Sequence, residues 1–417
     1  MSTDNLISLF MKSSLFRKGA PMLVWQALIL VFTLASSIWI ARSLGPFELG
    51  RSGFILATVS QVLLVISVCP NTYAVRLIKQ SANVEDAISL VVTGRAFVAI
   101  IYLLVLSLAL VFGLIPAEWM DIVLLGSLLP ILMAFQPLWL FQAFEKQVAQ
   151  LKMSACIAAI VLVYTVSFIR KGGTADEELT ARLIALLIGL IVGWWLIGKV
   201  NPFKYVKLRK LNRSLVEIWN SRTLFITQIT MYVIVGLELP LMAYLLEIEE
   251  LGKYRTATQL ALGLNAFIAI LPMIYYPEFI ELKKQSNRLL WNRQKVLSSY
   301  LTISVIPVVV LVFVLGPMAF TWVFGETFSD AGIPFAILVC SKLVVLIAGV
   351  FAWGLWAGSK DLAILILFSV VGAVTLSSNI LLIPRFGMMA ASSIHFLGQF
   401  GILIVTFMMA KREGLKV

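Results

Sequence analysis

The chain is 417 residues long, 60% hydrophobic and only 13% charged, with a formal net charge of +12 and a mean hydropathy of +0.98. That composition lies far outside the soluble globular range and identifies an integral membrane protein. A hydrocarbon core about 30 Å thick takes roughly 20 apolar residues per helix, and twelve such runs predict an all-α protein with twelve transmembrane helices.

In chain order, residues 1–17 come first, with Leu6, Leu9 and Phe10 on one helical face and Lys12, Arg17 and Lys18 close behind, a pattern that predicts a short helix along the membrane surface. Apolar runs near 20–41, 50–69, 88–112, 122–141, 153–169 and 181–196 form an N-lobe over residues 18–199. The first run lacks a small-x-small cleavage site and is expected to stay in the protein. A basic connection, residues 200–221, carries Lys204, Lys207, Arg209, Lys210 and Arg213. Runs near 224–246, 256–276, 297–320, 333–356, 362–383 and 388–410 form a C-lobe over residues 222–410, and residues 411–417 are a tail. A second basic cluster, Lys283, Lys284, Arg288 and Arg293, follows the eighth run. Placing both termini in the cytoplasm puts both clusters there, as the positive-inside rule requires. Topology and attraction to anionic membrane lipids account for them without nucleic acid.

The chain also repeats itself. Glu48-Leu49-Gly50-Arg51 follows the first run, and Glu250-Leu251-Gly252-Lys253 follows the seventh at the same spacing that separates Gln26 from Gln228. Trp139, Ala143 and Lys146 near the end of the fourth run match Trp353, Ala357 and Lys360 near the end of the tenth. Each half holds an even number of helices, so the copies enter from the same side. They are parallel repeats around an axis along the membrane normal, with a central cavity expected between two six-helix lobes.

Prolines inside the runs, at Pro70, Pro130, Pro137, Pro240, Pro272, Pro277 and Pro307, mark helices that bend in packing or line a cavity. A charge near the bilayer centre costs on the order of 3 kcal/mol on insertion scales, so such residues face a cavity or a partner. Lys342 lies near the midpoint of the tenth run and Glu238 near the middle of the seventh. Glu238 is either an ion-coupling carboxylate or half of a salt bridge. Arg95 and Arg76 either serve a buried anion or snorkel to the interface. His395, the only histidine, and the amides Gln26, Gln228, Asn265 and Asn379 either line a wet path for sugar hydroxyls or pair between helices. Arg42, Arg51, Lys253 and Arg255 cluster around the repeated Glu-Leu-Gly on the periplasmic side, where they satisfy helix ends and lipid phosphates or form a paired gate. No nucleotide, zinc-hydrolase or serine-hydrolase motif occurs. No enzyme, cofactor or metal site is therefore expected, which leaves a secondary transporter, a channel or a membrane scaffold.

Ala41-Arg42-Ser43-Leu44-Gly45-Pro46 with Gly50 resembles the "ARxLGPxxxG" signature of bacterial Wzx-type polysaccharide flippases, within the multidrug/oligosaccharidyl-lipid/polysaccharide exporter superfamily. Pro137-Leu138-Trp139-Leu140-Phe141-Gln142 with Glu145-Lys146 is similar to their "PxWLFQGxEK". Leu251-Gly252-Lys253-Tyr254 with Ala257 resembles "LGxYxxA", and Pro384-Arg385-Phe386-Gly387 with Ala390-Ala391 resembles "PxfGxxGAA". The departures are Ala143 and Met389, each where glycine is common.

The resemblance implies an inner-membrane flippase that carries an undecaprenyl-diphosphate-linked oligosaccharide, such as an O-antigen repeat unit, to the periplasmic leaflet by alternating access. It further implies polymerase and chain-length proteins of the same pathway as partners. Under it, Lys342, Arg95, Arg76, Arg51, Lys253, Arg255 and Arg42 are candidates for the diphosphate, and Gln26, Gln228, Asn265, Asn379 and His395 for the sugars. Glu238 is the candidate for ion coupling. The alternatives are an ion-coupled multidrug or metabolite exporter of the same superfamily and a scaffold that transports nothing.

Overall fold

The computed structural model describes residues 14–198, 202–268, 270–358 and 360–415. Most of the amphipathic segment expected over residues 1–17 falls outside them, as do residue 199, residues 200–201 of the connection and residues 416–417 of the tail. The described chain is helical throughout, and eight of its helical stretches are long and apolar enough to cross a membrane. It is a multi-pass membrane protein. The twelve apolar runs map onto these stretches unevenly. Runs one and two share a single helical stretch, α1 (Ser14–Ile66), bent at Gly45, where φ is +76°. Runs eleven and twelve likewise share α16 (Asp361–Gly414), bent at Gly387, where φ is +55°. A left-handed φ costs glycine nothing, so the chain changes direction at each point without an intervening loop. Runs seven and eight are instead broken into short pieces.

The chain divides into two compact units, residues 1–43 with 55–229 and residues 44–54 with 230–417. The first contains most of α1, followed by α2 (Asn71–Gln80), α3 (Val84–Val111), α4 (Met120–Phe135), α5 (Leu138–Ala143), α6 (Gln147–Phe168), α7 (Ala175–Ile197), α8 (Leu211–Asn220) and the first half of α9 (Arg222–Val235). Its core gathers Trp139, Phe141, Met153 and Trp194 with Ile88 and Val91.

Two interruptions near that core are stabilised by one residue. The chain leaves helical geometry before Pro70 and again at Gln136-Pro137. Arg95, only 3% exposed, donates from Nη1 to the Ala134 carbonyl (2.7 Å) and from Nη2 to the Cys69 carbonyl and Asn71 Oδ1 (both 2.9 Å). Its guanidinium also lies over the Trp139 ring, 5.8 Å from the centroid. Backbone carbonyls released inside a membrane need such a donor. Pro130 and Pro307, by contrast, lie inside unbroken helices.

The basic connection is docked on this unit. Ser89 and Thr93 of α3 donate to the Tyr205 carbonyl, and the Tyr205 ring stacks on Trp194. Asp86 pairs with Lys210 and Arg213, and the Tyr73 hydroxyl donates to Glu217 of α8 at 2.6 Å.

The second unit contains α10 (Glu238–Leu245), α11 (Ile248–Leu262), α12 (Asn265–Ile268), α13 (Ile270–Gln285), α14 (Asn287–Phe324), α15 (Gly332–Ala357) and α16. Residues 44–54 of α1 belong to it as well. A Cβ on Gly252 would collide with the Pro46 carbonyl, and one on Gly50 would collide with the Ile248 carbonyl. Arg255 Nη1 donates to the Leu49 carbonyl at 3.0 Å and to Ser52 Oγ. The two copies of Glu-Leu-Gly thus pack directly against each other.

Candidate functional site

The second unit concentrates charge where hydrocarbon surrounds it. Glu238 opens α10, whose first turn tolerates Pro240 because the early backbone N–H groups of a helix have no intrahelical partner. His395 comes from the second half of α16 and Lys342 from the middle of α15. His395 Nδ1 lies 2.8 Å from Glu238 Oε2, with side-chain exposures of 1% and 12%. The approach is off the line of a ring N–H bond, and neither imidazole nitrogen has a hydrogen-bond partner among the described residues. It is a charge contact, strong only when the ring is protonated.

Two further groups share the same carboxylate. Its charge acts on the Lys342 ammonium and on the hydroxyl of Tyr254 in α11. Lys342 is 7% exposed and Tyr254 fully buried. Gly398 lies against Thr375, and that register of the α16 hairpin brings Asn379 level with His395. The Asn379 Oδ1 and the Ser341 hydroxyl lack hydrogen-bond partners among the described residues, while the Tyr254 hydroxyl is within reach of the Glu238 carboxylate. Buried polar groups are almost always bonded, so an imidazole with both nitrogens unbonded beside a buried carboxylate marks a candidate site.

Glu238, His395 and Lys342 are expected to serve three different tasks, and the structure brings them together. It does not bring the other candidates to this cluster. Arg95 of the first unit has three of its hydrogen bonds directed at the helix interruptions. Arg51 pairs with Glu48 at 3.2 Å, Lys253 with Asp330 and Glu249 at 3.2 and 3.3 Å, and Arg255 is held by Leu49 and Ser52. Arg76, Arg42 and Asn265 are exposed, while Gln26 and Gln228 are half-buried. Sequence reasoning overlooked Tyr254 and Ser341. Tyr254 belongs to the Leu-Gly-Lys-Tyr string, but nothing in that string signals that its hydroxyl is buried beside Glu238. Among the described residues no group of three or more His, Cys, Asp or Glu side chains is placed to hold a metal ion.

A comparison with protein-family models finds no match. Over 219 residues, 49% of this chain, the sequence is 27% identical to a curated Escherichia coli (strain K12) protein named "Putative O-antigen transporter". The chain spans about half the length of that relative, 51%. Among solved structures it is similar to the lipid II flippase MurJ in an inward closed conformation, with a TM-score of 0.74 at 13% identity, over 94% of this chain and 88% of that one. The fold is shared with that protein.

Proposed function

We propose that this chain is a flippase that moves an undecaprenyl-diphosphate-linked oligosaccharide, such as an O-antigen repeat unit, from the cytoplasmic to the periplasmic leaflet of a bacterial inner membrane. The observation that carries the proposal is Lys342: a buried ammonium midway along a spanning helix, opposed by one carboxylate that already contacts an imidazole. An anionic headgroup that leaves water needs such a cation to replace its hydration. The shared fold with a lipid II flippase and the half-chain likeness to a protein named for O-antigen transport support this cargo class. In this reading Lys342 meets the diphosphate and Asn379 the sugar hydroxyls. Gln26, Gln228 and Asn265 extend the polar path, and Arg42, Arg51, Lys253 and Arg76 serve as outlying cations. Twelve spans in two six-helix lobes, with both termini cytoplasmic, work by alternating access. The Glu238–His395 contact favours a second reading, an ion-coupled exporter of small molecules on the same fold.

The test is genetic. Removing the protein and profiling surface glycans is expected to abolish one lipid-linked polysaccharide, with an unchanged profile overturning the cargo. At matched protein levels, Lys342→Ala is expected to restore at least about tenfold less polysaccharide than the wild type, the equivalent of one lost charge-assisted contact, and Lys342→Arg more than Ala. Full restoration by the Ala variant would remove Lys342 from the site. Restored resistance to toxic cations, with glycans unchanged throughout, would move the assignment to the exporter.

A further inference from the structure

The flippase reading leaves open what Glu238 and His395 do for each other. The chain has one histidine, and it lies within 2.8 Å of a carboxylate inside the apolar part of the second unit. A permanent salt bridge there has little to recommend it, because burying two charges costs more than the pair returns unless hydrogen bonds complete it. Those bonds are missing from the imidazole, since neither ring nitrogen is bonded among the described residues.

Within its span α15 contributes Lys342 and Cys340, and only Lys342 is acted on by the Glu238 charge. From α11, Tyr254 faces the carboxylate. Its neighbours are committed elsewhere: Glu250 accepts from the Met388 backbone N–H, Lys253 pairs with Asp330 and Glu249, and Arg255 is bound to Leu49 and Ser52. Tyr300 of α14 is exposed, as is Tyr244 of α10. The remaining charges of α16, Asp361, Arg385, Lys411, Arg412 and Glu413, lie towards the ends of its two arms.

We infer that Glu238 and His395, flanked by Lys342 and Tyr254, form a proton-binding site in the spanning part of the second unit. One proton from water adds to the imidazole and yields an imidazolium paired with the Glu238 carboxylate. With a neutral ring, Lys342 and Glu238 cancel, and the cluster has a formal charge of zero. Protonation takes it to +1. A metal cation of the sodium type is disfavoured, since it would add a fixed positive charge near the Lys342 ammonium, where Glu238 is the one carboxylate acting on it. Here the one carboxylate is in contact with a nitrogen base and acts on an ammonium. The inference deepens the flippase reading and its coupling role rests on it, because a cluster that gains positive charge with the proton holds an anionic headgroup more tightly. The proton site itself is tested without any cargo.

The single histidine makes the test direct. The full-length protein, purified through a tag without histidine and labelled with 13C at the imidazole Cε1, gives one side-chain resonance to follow from pH 5 to pH 9. The expected result is a titration within that window whose midpoint falls by about one unit or more in Glu238→Gln, because the variant removes the anion that stabilises the imidazolium. Exchange of choline chloride for sodium chloride at equal ionic strength is expected to leave the midpoint in place. A resonance that does not move with pH, or one whose midpoint is the same in Glu238→Gln, would overturn the proton site. A midpoint displaced by sodium by a unit or more would overturn it in favour of a metal cation. Should Glu238→Gln fail to fold, Lys342→Met provides the second variant. Removing a neighbouring cation is expected to raise the midpoint, and no change would count against the cluster.

Discussion

Gly252 packs backbone to backbone against Gly50. A Cβ on Gly252 would meet the Pro46 carbonyl and the Gly50 N–H, just as a Cβ on Gly50 would meet the Ile248 carbonyl. Pro46 and Ile248 are equivalent positions of the sequence repeat, as are Gly50 and Gly252, so the contact is reciprocal. It explains why glycine stands in both copies of the motif.

Gly252→Ala is expected to cost about 1–3 kcal/mol of stability by overpacking a contact that is backbone on both sides, and Gly50→Ala a similar amount. Apparent melting temperatures of detergent-solubilised protein, read by size-exclusion chromatography after heating, will check this. Wild-type melting in both variants would show that the segments separate freely.

Arg95→Ala leaves the Ala134 and Cys69 carbonyls and the Asn71 amide oxygen without their donor. The expected loss is about 2–6 kcal/mol, from the two buried carbonyls at about 1–3 kcal/mol each, the Asn71 oxygen being only partly buried. Arg95→Lys is expected to recover little, because one ammonium cannot reproduce the guanidinium fork that spans both interruptions. Yield of monodisperse protein and melting temperature are the readouts. A Lys variant as stable as the wild type would show that charge alone suffices.

Glu250 Oε1 accepts from the Met388 N–H at 2.9 Å, at the start of the second arm of α16, and a Cβ on Gly387 would collide with the same carboxylate. Loss of a helix cap typically costs about 1 kcal/mol, so Glu250→Ala is expected to be mild. Gly387→Ala combines the collision with a left-handed φ and is expected to be the more damaging of the two. Parallel melting curves rank them, and the reverse order would contradict the described turn.

The connection holds to the first unit through Tyr73–Glu217 and through Asp86 with Lys210 and Arg213. Partly exposed pairs contribute roughly 0–1 kcal/mol each. Tyr73→Phe and Asp86→Asn are therefore expected to leave melting almost unchanged singly, and together to speed tryptic cleavage after Lys207, Arg209 or Arg213. Cleavage at the wild-type rate in the double variant would place the attachment with the Tyr205 stack on Trp194 instead.

The membrane class was legible in the sequence alone because hydrocarbon leaves few solutions: long apolar runs must be helices whose backbone groups bond internally. The cost of a charge in that medium also singled out Lys342, Glu238, Arg95 and His395. Which of them act together was decided only by tertiary structure. Arg95 and Lys342 read alike as buried cations, yet one bonds three acceptors at helix interruptions while the other is near a carboxylate that touches an imidazole. The partners of Arg95 lie 24 to 39 residues away in the chain, and His395 lies on a different helix from Glu238. Such meetings depend on helix rotation and on the register of the two arms of α16. The weak amphipathic signal of helices surrounded by lipid carries neither, because an apolar face towards lipid and an apolar face towards a neighbouring helix are written with the same residues.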